Sequence, residues 1–391
     1  MITETSSRLE CSSLGECNFV SLKYHTDLLF KPTEADRKQL TKHKMNVGIL
    51  SGILLIALGA FASGSFAVPF GKIKGWSWET YWMIFSVGAY ILFPLFACLI
   101  FAPGFLLIIK STPPGTLLTV FLLGALYGVG NLSFGLALRY LGLSLGYALS
   151  LGLMLAIGTL IPPAIDGRLH VMMLGKGGTL LILGIVIAGF GIALSAWSGI
   201  LKDKIMTDAK KKESIGEFDL IKGAMAAVLV GFTGSAMSLG FEQGNSIGEI
   251  AAKQGVDPLF TMMPLFVILF AGTFITTIGW CLYLGMKNNS LKNYFNAASP
   301  KILTGNYLYG LLAGLLWFSQ LIVYGMGKSK MGPFTFTSWG ILMALTIVCA
   351  TIWGLIRKEW KGAPTKIYVL MILSLLIIIA SSFLIGISGS M

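Results

Sequence analysis

A chain of 391 residues that is 55% hydrophobic and only 12% charged, with a mean hydropathy of +0.79, lies far from the soluble norm, in which about a quarter of residues are charged. The formal net charge of +12, from 29 basic and 17 acidic residues, reads in so apolar a chain as a topology signal rather than a nucleic-acid footprint. A soluble enzyme, a nucleic-acid-binding domain and a peripheral protein are excluded, which leaves a protein built into the lipid bilayer.

Residues 1–44 differ in kind from the rest of the chain. They carry seven basic and six acidic residues and no long apolar run. A signal peptide would place a short apolar core close to the first residues, and none is there. The segment ends in Lys42-His43-Lys44, directly before Met45, and is expected to be a disordered or mis-called N-terminal extension with Met45 as the natural start. From Met45 onward, ten stretches of at least 19 residues contain no Asp, Glu, Lys or Arg: 45–71, 80–109, 111–138, 140–165, 177–201, 223–241, 258–286, 302–327, 331–356 and 367–391. A bilayer-spanning helix takes roughly 20 mostly apolar residues. The expected fold is therefore an all-α polytopic membrane protein of ten transmembrane helices; barrel strands would instead alternate over about 10 residues.

The longest charged connection, 202–222, separates the first five runs from the last five. Five crossings per half turn two homologous halves into opposite orientations, and inverted repeats of this kind place a substrate site near the midplane, where the halves meet. An offset of 186 residues aligns Gly128 with Gly314, Ser133 with Ser319 and Gly146 with Gly332. Spans three and four share a tight connection (Arg139 to Ser144), as do spans eight and nine (Gly327 to Pro333). The expected organisation is a first five-helix repeat at 45–201, a connecting loop at 202–222 and a second repeat at 223–391. From Met45 onward, odd-numbered connections hold 16 Lys and Arg and even-numbered ones 6, which puts the odd connections in the cytoplasm and both ends of the body outside; the 44-residue segment adds 7 to the even side.

Metal chemistry is not expected. The three histidines, His25, His43 and His170, lie outside the apolar runs, and the five cysteines form no CxxC pair. No HExxH or GxSxG is present to suggest an enzyme, and no segment is long enough for a sensor's soluble output domain. Polar groups at membrane depth are costly and so face protein or a water-filled chamber. Those at mid-span are Asn131 and Ser133 in span three, Tyr147 and Ser150 in span four, Trp317, Ser319, Gln320 and Tyr324 in span eight, and Thr335, Thr337, Ser338 and Trp339 in span nine. Gln320 shares a helix face with Trp317, three residues before it, and with Tyr324, four after it. Flat aromatic faces with amides suit a sugar, although helix-to-helix bonding is the other use of such groups. The tryptophans near span ends (Trp76, Trp78, Trp82 and Trp360) read as interfacial anchors. After residue 44 only eleven carboxylates remain, five of them in the 202–222 connection. Glu79, Glu242, Glu249, Asp257 and Glu359 lie at or near span ends. A proton-coupled carrier needs a group that changes protonation, and Glu242 or Glu249 is the candidate; capping of helices or pairing with Lys253 is the structural alternative.

Taken in order, Lys72-Ile73-Lys74-Gly75-Trp76-Ser77-Trp78-Glu79-Thr80, Gly130-Asn131, Arg139-Tyr140-Leu141-Gly142, Gly158-Thr159-Leu160, Gly255-Val256-Asp257-Pro258-Leu259, Gly314-Leu315-Leu316-Trp317 with Gln320 and Tyr324, Ser338-Trp339 and Lys358-Glu359-Trp360 resemble the L-rhamnose/proton symporter family, a branch of the drug/metabolite transporter superfamily, from about Met45 to Met391. The resemblance implies two inverted five-helix repeats in the bacterial inner membrane, no cofactor, and import of a 6-deoxyhexose with a proton by alternating access. The substrate contacts expected from the polar and aromatic set at mid-span are Asn131, Trp317, Gln320, Tyr324 and Trp339. Four positions depart from the family pattern. Glu242 stands in place of an amide, Gly248 precedes Glu249 in place of a histidine, and Thr335 and Thr337 replace a tyrosine and an acid nearby. The alternative is a permease of the same type for a different sugar or small metabolite.

Overall fold

The computed structural model describes residues 34–165, 167, 178–205, 217–331 and 338–388. It divides into a short N-terminal unit ending at Val47 and a body from Gly48 to Met391. In the bilayer core every backbone N–H and C=O must be satisfied within its own element, and the described residues form helices with no strand. These are α1 (Glu34–Ser65), α2 (Trp78–Ser86), α3 (Phe93–Phe101), α4 (Phe105–Ser111), α5 (Pro114–Ile165), α6 (Gly178–Ile205), α7 (Leu220–Gly234), α8 (Ala236–Gln243), α9 (Asn245–Lys253), α10 (Met263–Lys287), α11 (Pro300–Lys330), α12 (Ser338–Ile356) and α13 (Thr365–Ser388). Helix α1 begins at Glu34, inside the stretch expected to precede the folded chain.

Among the described residues, seven helical segments are long and apolar enough to cross a membrane, and two further apolar helices, Ile341–Ile356 and Thr365–Ser381, are shorter. One of the seven, Pro114–Ile157, runs through two of the apolar runs. It is broken at Gly142, whose φ of 77° and ψ of −178° are non-helical. Only glycine takes that backbone without strain, so the chain reverses there between Arg139 and Ser144. The carboxylate of Glu359 closes the break: its Oε1 accepts from Leu143 N (2.9 Å) and its Oε2 from Ser144 N (3.1 Å). These N–H groups open a new helix and have no intrahelical partner. Elsewhere, Asp219 Oδ1 accepts from Lys222 N (3.0 Å) at the start of α7, and Ser299 Oγ accepts from Ile302 N (3.3 Å) at the start of α11.

Helices meet through glycines, as expected where small residues allow close approach in lipid. A Cβ at Gly130 of α5 would lie 2.6 Å from Gly234 N of α7, and one at Gly59 of α1 would lie 3.1 Å from Gln320 O of α11. Side chains at Gly124 and Gly272 would strike the carbonyls of Leu269 and Phe121 across the α5–α10 crossing. Between α2 and α3 the chain is π-helical over Val87–Leu92, leading into Pro94 at the start of α3. A π-helical turn inside a helix often marks a functional position, and here it carries the buried Tyr90 against Trp317 of α11, with ring centroids 5.1 Å apart.

The tryptophans near span ends correct one expectation. Trp78 and Trp82 are buried and stacked with centroids 5.1 Å apart, and Trp82 adjoins Phe85 at 4.9 Å. Trp76 is buried against Tyr307, and Trp360 lies beneath the Lys202 ammonium at 4.8 Å. They are packing residues rather than interfacial anchors.

Candidate substrate cavity

A central cavity opens between α1, α5, α7, α8, α11 and α12, with contributions on both sides of the Gly142 break in α5. Asn131, Trp317, Gln320 and Trp339 all line it, so the structure brings four of the five expected contacts to one chamber. Its volume is about 50 Å³, room for a few water molecules at about 10–15 Å³ each.

Asn131 is buried, and its Oδ1 has no hydrogen-bond partner among the described residues. An unpaired buried acceptor costs about 1–3 kcal/mol, and this one is open to an incoming hydrogen-bond donor. Gln320 approaches the same space from α11, one helical turn beyond Trp317. The indole of Trp317 is fixed on several sides, by Tyr90 (5.1 Å, 87°), Phe270 (5.3 Å, 71°), Phe85 (6.3 Å, 88°) and Tyr127 (6.4 Å, 30°). Such packing leaves little rotamer freedom for the face turned to the cavity. Trp339 is held by Tyr324 (5.7 Å, 75°) and Phe241 (6.3 Å, 89°). Tyr324, the fifth expected contact, therefore supports the wall from behind and is not itself part of the lining.

Several lining residues were not expected as contacts. Tyr127 stands four residues before Asn131, one turn along the same face, a spacing that could have found it. Tyr147 donates its hydroxyl to the backbone carbonyl of Ser63 (2.8 Å) and packs on Phe134 (5.0 Å), tying α1 to both parts of α5. Met154, Met237 and Met343 supply flexible apolar wall, for which the sequence carries no signal beyond their depth. Among the described residues, no Asp, Glu, Lys, Arg or His lines the chamber.

The remaining polar candidates lie elsewhere. Ser133 and Ser319 donate to carbonyls of their own helices, Val129 O (2.8 Å) and Leu316 O (3.0 Å). Thr335 and Thr337 fall outside the described residues. Glu242, near the end of α8, is half-buried; it adjoins Phe241, which touches Trp339. Glu249, on α9, is exposed. Neither lines the cavity, so the structure does not bring them into the chamber with the amides. Glu79 is buried and accepts from Ser290 Oγ (2.6 Å) and Asn288 Nδ2 (3.1 Å), fastening the start of α2 to the end of α10. Arg139 forms a bidentate pair with Glu217 (2.6 and 2.8 Å). Among the described residues no group of His, Cys, Asp and Glu is placed to hold a metal ion.

Comparison with known proteins matches residues 45–390 to the family model described as L-rhamnose-proton symport protein (RhaT). A Yersinia pestis (strain Pestoides F) protein named L-rhamnose-proton symporter is 34% identical over 345 residues, covering 88% of this chain and 98% of the relative. A protein of the same name from Escherichia coli (strain 55989 / EAEC) is 35% identical over 346 residues, covering 88% and 99%. No solved structure matches. A cavity bounded by tryptophan faces and amides, in a helical membrane body, thus sits in a chain that belongs to the L-rhamnose-proton symport protein family.

Proposed function

We propose that the protein is an integral carrier of the bacterial inner membrane that imports L-rhamnose together with a proton. The single observation that carries this reading is the uncharged lining of the chamber. Burying an ion without a counter-charge is far costlier than burying a hydroxyl that finds an acceptor. Two amides, two indoles and, among the described residues, no charged side chain therefore favour a neutral polyol over a cationic drug or an anionic metabolite. Asn131 and Gln320 bond sugar hydroxyls, Trp317 and Trp339 stack on C–H faces, and Tyr324 keeps Trp339 in place. At about 50 Å³ the chamber is contracted, and a monosaccharide enters as the walls part.

Alternating access by two inverted five-helix repeats supplies that motion. Splitting α5 at Gly142 and adding the two shorter apolar helices to the seven longer segments gives ten spans. The glycine crossings are exchanged when each span is renumbered by five. The α1–α11 contact at Gly59 corresponds to the α7–α5 contact at Gly130. The α1–α12 contact, where a Cβ at Gly64 would lie 2.7 Å from Cys349 Cβ, corresponds to Gly231 of α7, 2.9 Å from Leu153 Cβ. The approach of Gly314 to Phe85 and Ala89 corresponds to that of Gly124 and Gly272 at the α5–α10 crossing, while Gly191 of α6 against Ile377 and Ile378 of α13 maps onto itself. Coupling is assigned to a carboxylate outside the chamber, Glu242 or Glu249. Glu242 is the stronger of the two, because a half-buried group changes its surroundings when the wall moves, and Phe241 links it to Trp339.

Uptake of labelled L-rhamnose into proteoliposomes tests this. An interior-alkaline pH gradient should drive accumulation that a protonophore abolishes. Uptake indifferent to the gradient, or absent, would overturn it. Preference for another neutral sugar would keep the mechanism and change the substrate.

A further inference from the structure

A second cleft lies apart from the chamber, where the connection after α1 crosses the first turns of α11. Lys72, Lys74 and Lys301 line it, with a volume of about 960 Å³, and among the described residues no carboxylate lines it. All three lysines are exposed, and none forms an ion pair among the described residues. The next acid along the chain, Glu79 at the start of α2, is engaged by Ser290 and Asn288. Gly71, also in the lining, sits against the guanidinium of Arg357, which adds a fourth cation to the same neighbourhood.

The arrangement is built rather than incidental. Asn306 of α11 is buried, accepts from Lys74 N (3.0 Å) and donates to Lys74 O (2.8 Å). This reciprocal pair pins the lysine-bearing connection over α11 and holds like charges together, an arrangement an anion relieves. Further along α11 the lining continues into Leu308 and Tyr309, 61% and 36% exposed. Leu308 is seven residues beyond Lys301, a rise of about 10 Å, enough to cross a headgroup layer of about 5–7 Å and reach the upper acyl chains. Tyrosine beside leucine on an outward helix face is typical of the bilayer interface.

We propose that this cleft binds the phosphate of an anionic phospholipid, with Lys72, Lys74 and Lys301 on the headgroup and Leu308 and Tyr309 along the upper acyl chain. The bound lipid bridges the connection after α1 to α11 and stabilises their junction. A free phosphate shares the headgroup chemistry but gains nothing from the apolar continuation.

Thermal unfolding of the purified protein in neutral detergent, titrated with phosphatidylglycerol, phosphatidylcholine or inorganic phosphate, tests this. Phosphatidylglycerol should stabilise the wild type more than either other addition. Its apparent affinity should fall roughly tenfold or more in the Lys72→Gln/Lys74→Gln/Lys301→Gln variant, and remain in a Lys253→Gln/Lys330→Gln/Lys366→Gln variant of equal charge. Equal loss in both variants, no loss in the first, or equal protection by inorganic phosphate would overturn the proposal. Should the triple variant not fold, native mass spectrometry of Lys301→Gln and Leu308→Asn decides instead: fewer retained phosphatidylglycerol molecules than wild type supports the site, and an unchanged number refutes it.

Discussion

Replacing Glu359 by alanine should destabilise the body more than removal of most single side chains. The carboxylate is 5% exposed and accepts from the first two N–H groups after the Gly142 break, 2.9 and 3.1 Å away. Hydrogen bonds to charged groups contribute roughly 1.5–3 kcal/mol each, and unmaking a buried charged contact costs about 3–5 kcal/mol. Lys202, itself buried over the Trp360 ring, would also lose its neighbouring carboxylate. We therefore expect a loss of about 3–5 kcal/mol for Glu359→Ala, or roughly 6–10 °C in apparent melting temperature at about 2 °C per kcal/mol. Glu359→Gln keeps one acceptor and should lose about half as much. Tryptophan fluorescence during heating in detergent reads both, with exposed Lys366→Ala as the control. A Glu359→Ala protein melting within about 1 °C of wild type would refute the claim that this carboxylate closes the helix break.

The same geometry sets the other expectations. Gly124→Ala would drive a Cβ into the Leu269 carbonyl and should cost about 1–3 kcal/mol, whereas Gly279→Ala meets open space and should be neutral or stabilising by up to about 1 kcal/mol; melting temperatures separate the two. Gly142→Ala forces a side chain into a φ of 77° and should lower the yield of folded protein on size exclusion. Glu242→Gln should leave L-rhamnose exchange intact while removing the response of net uptake to a pH gradient; if neither it nor Glu249→Gln alters that response, the coupling assignment is wrong. Trp339→Ala should weaken uptake, and Tyr324→Phe, which keeps the ring against Trp339, should not.

The helices were legible because lipid leaves the backbone so few options. An apolar run such as 302–327 has to close its own hydrogen bonds, and it lies within α11. The reversal between Arg139 and Ser144 was legible from its short span, and Gly142 provides the backbone it needs. Four cavity residues were legible as well, because an amide or indole at mid-span needs a partner or a wet chamber. What could not be read was long-range pairing. Glu359 looked like an interfacial charge, since its partners are amides 215 and 216 residues away. Trp78 and Trp82 looked like anchors because sequence gives depth along a helix but not which face is covered. The run beginning at Pro258 does not become helical at once: Asp257 Oδ1 accepts from Leu259 N (2.8 Å) in a turn, and α10 begins at Met263.

Equilibrium binding of labelled L-rhamnose to the purified protein tests the central claim most directly, because it needs neither a gradient nor an orientation. Binding should be saturable in the wild type and in the exposed-site variant Ser329→Ala, and about tenfold weaker or worse in Asn131→Ala and Gln320→Ala, each losing a hydrogen bond worth about 1.4 kcal/mol. Wild-type affinity in both cavity variants, with the protein folded, would place the sugar elsewhere and contradict the account.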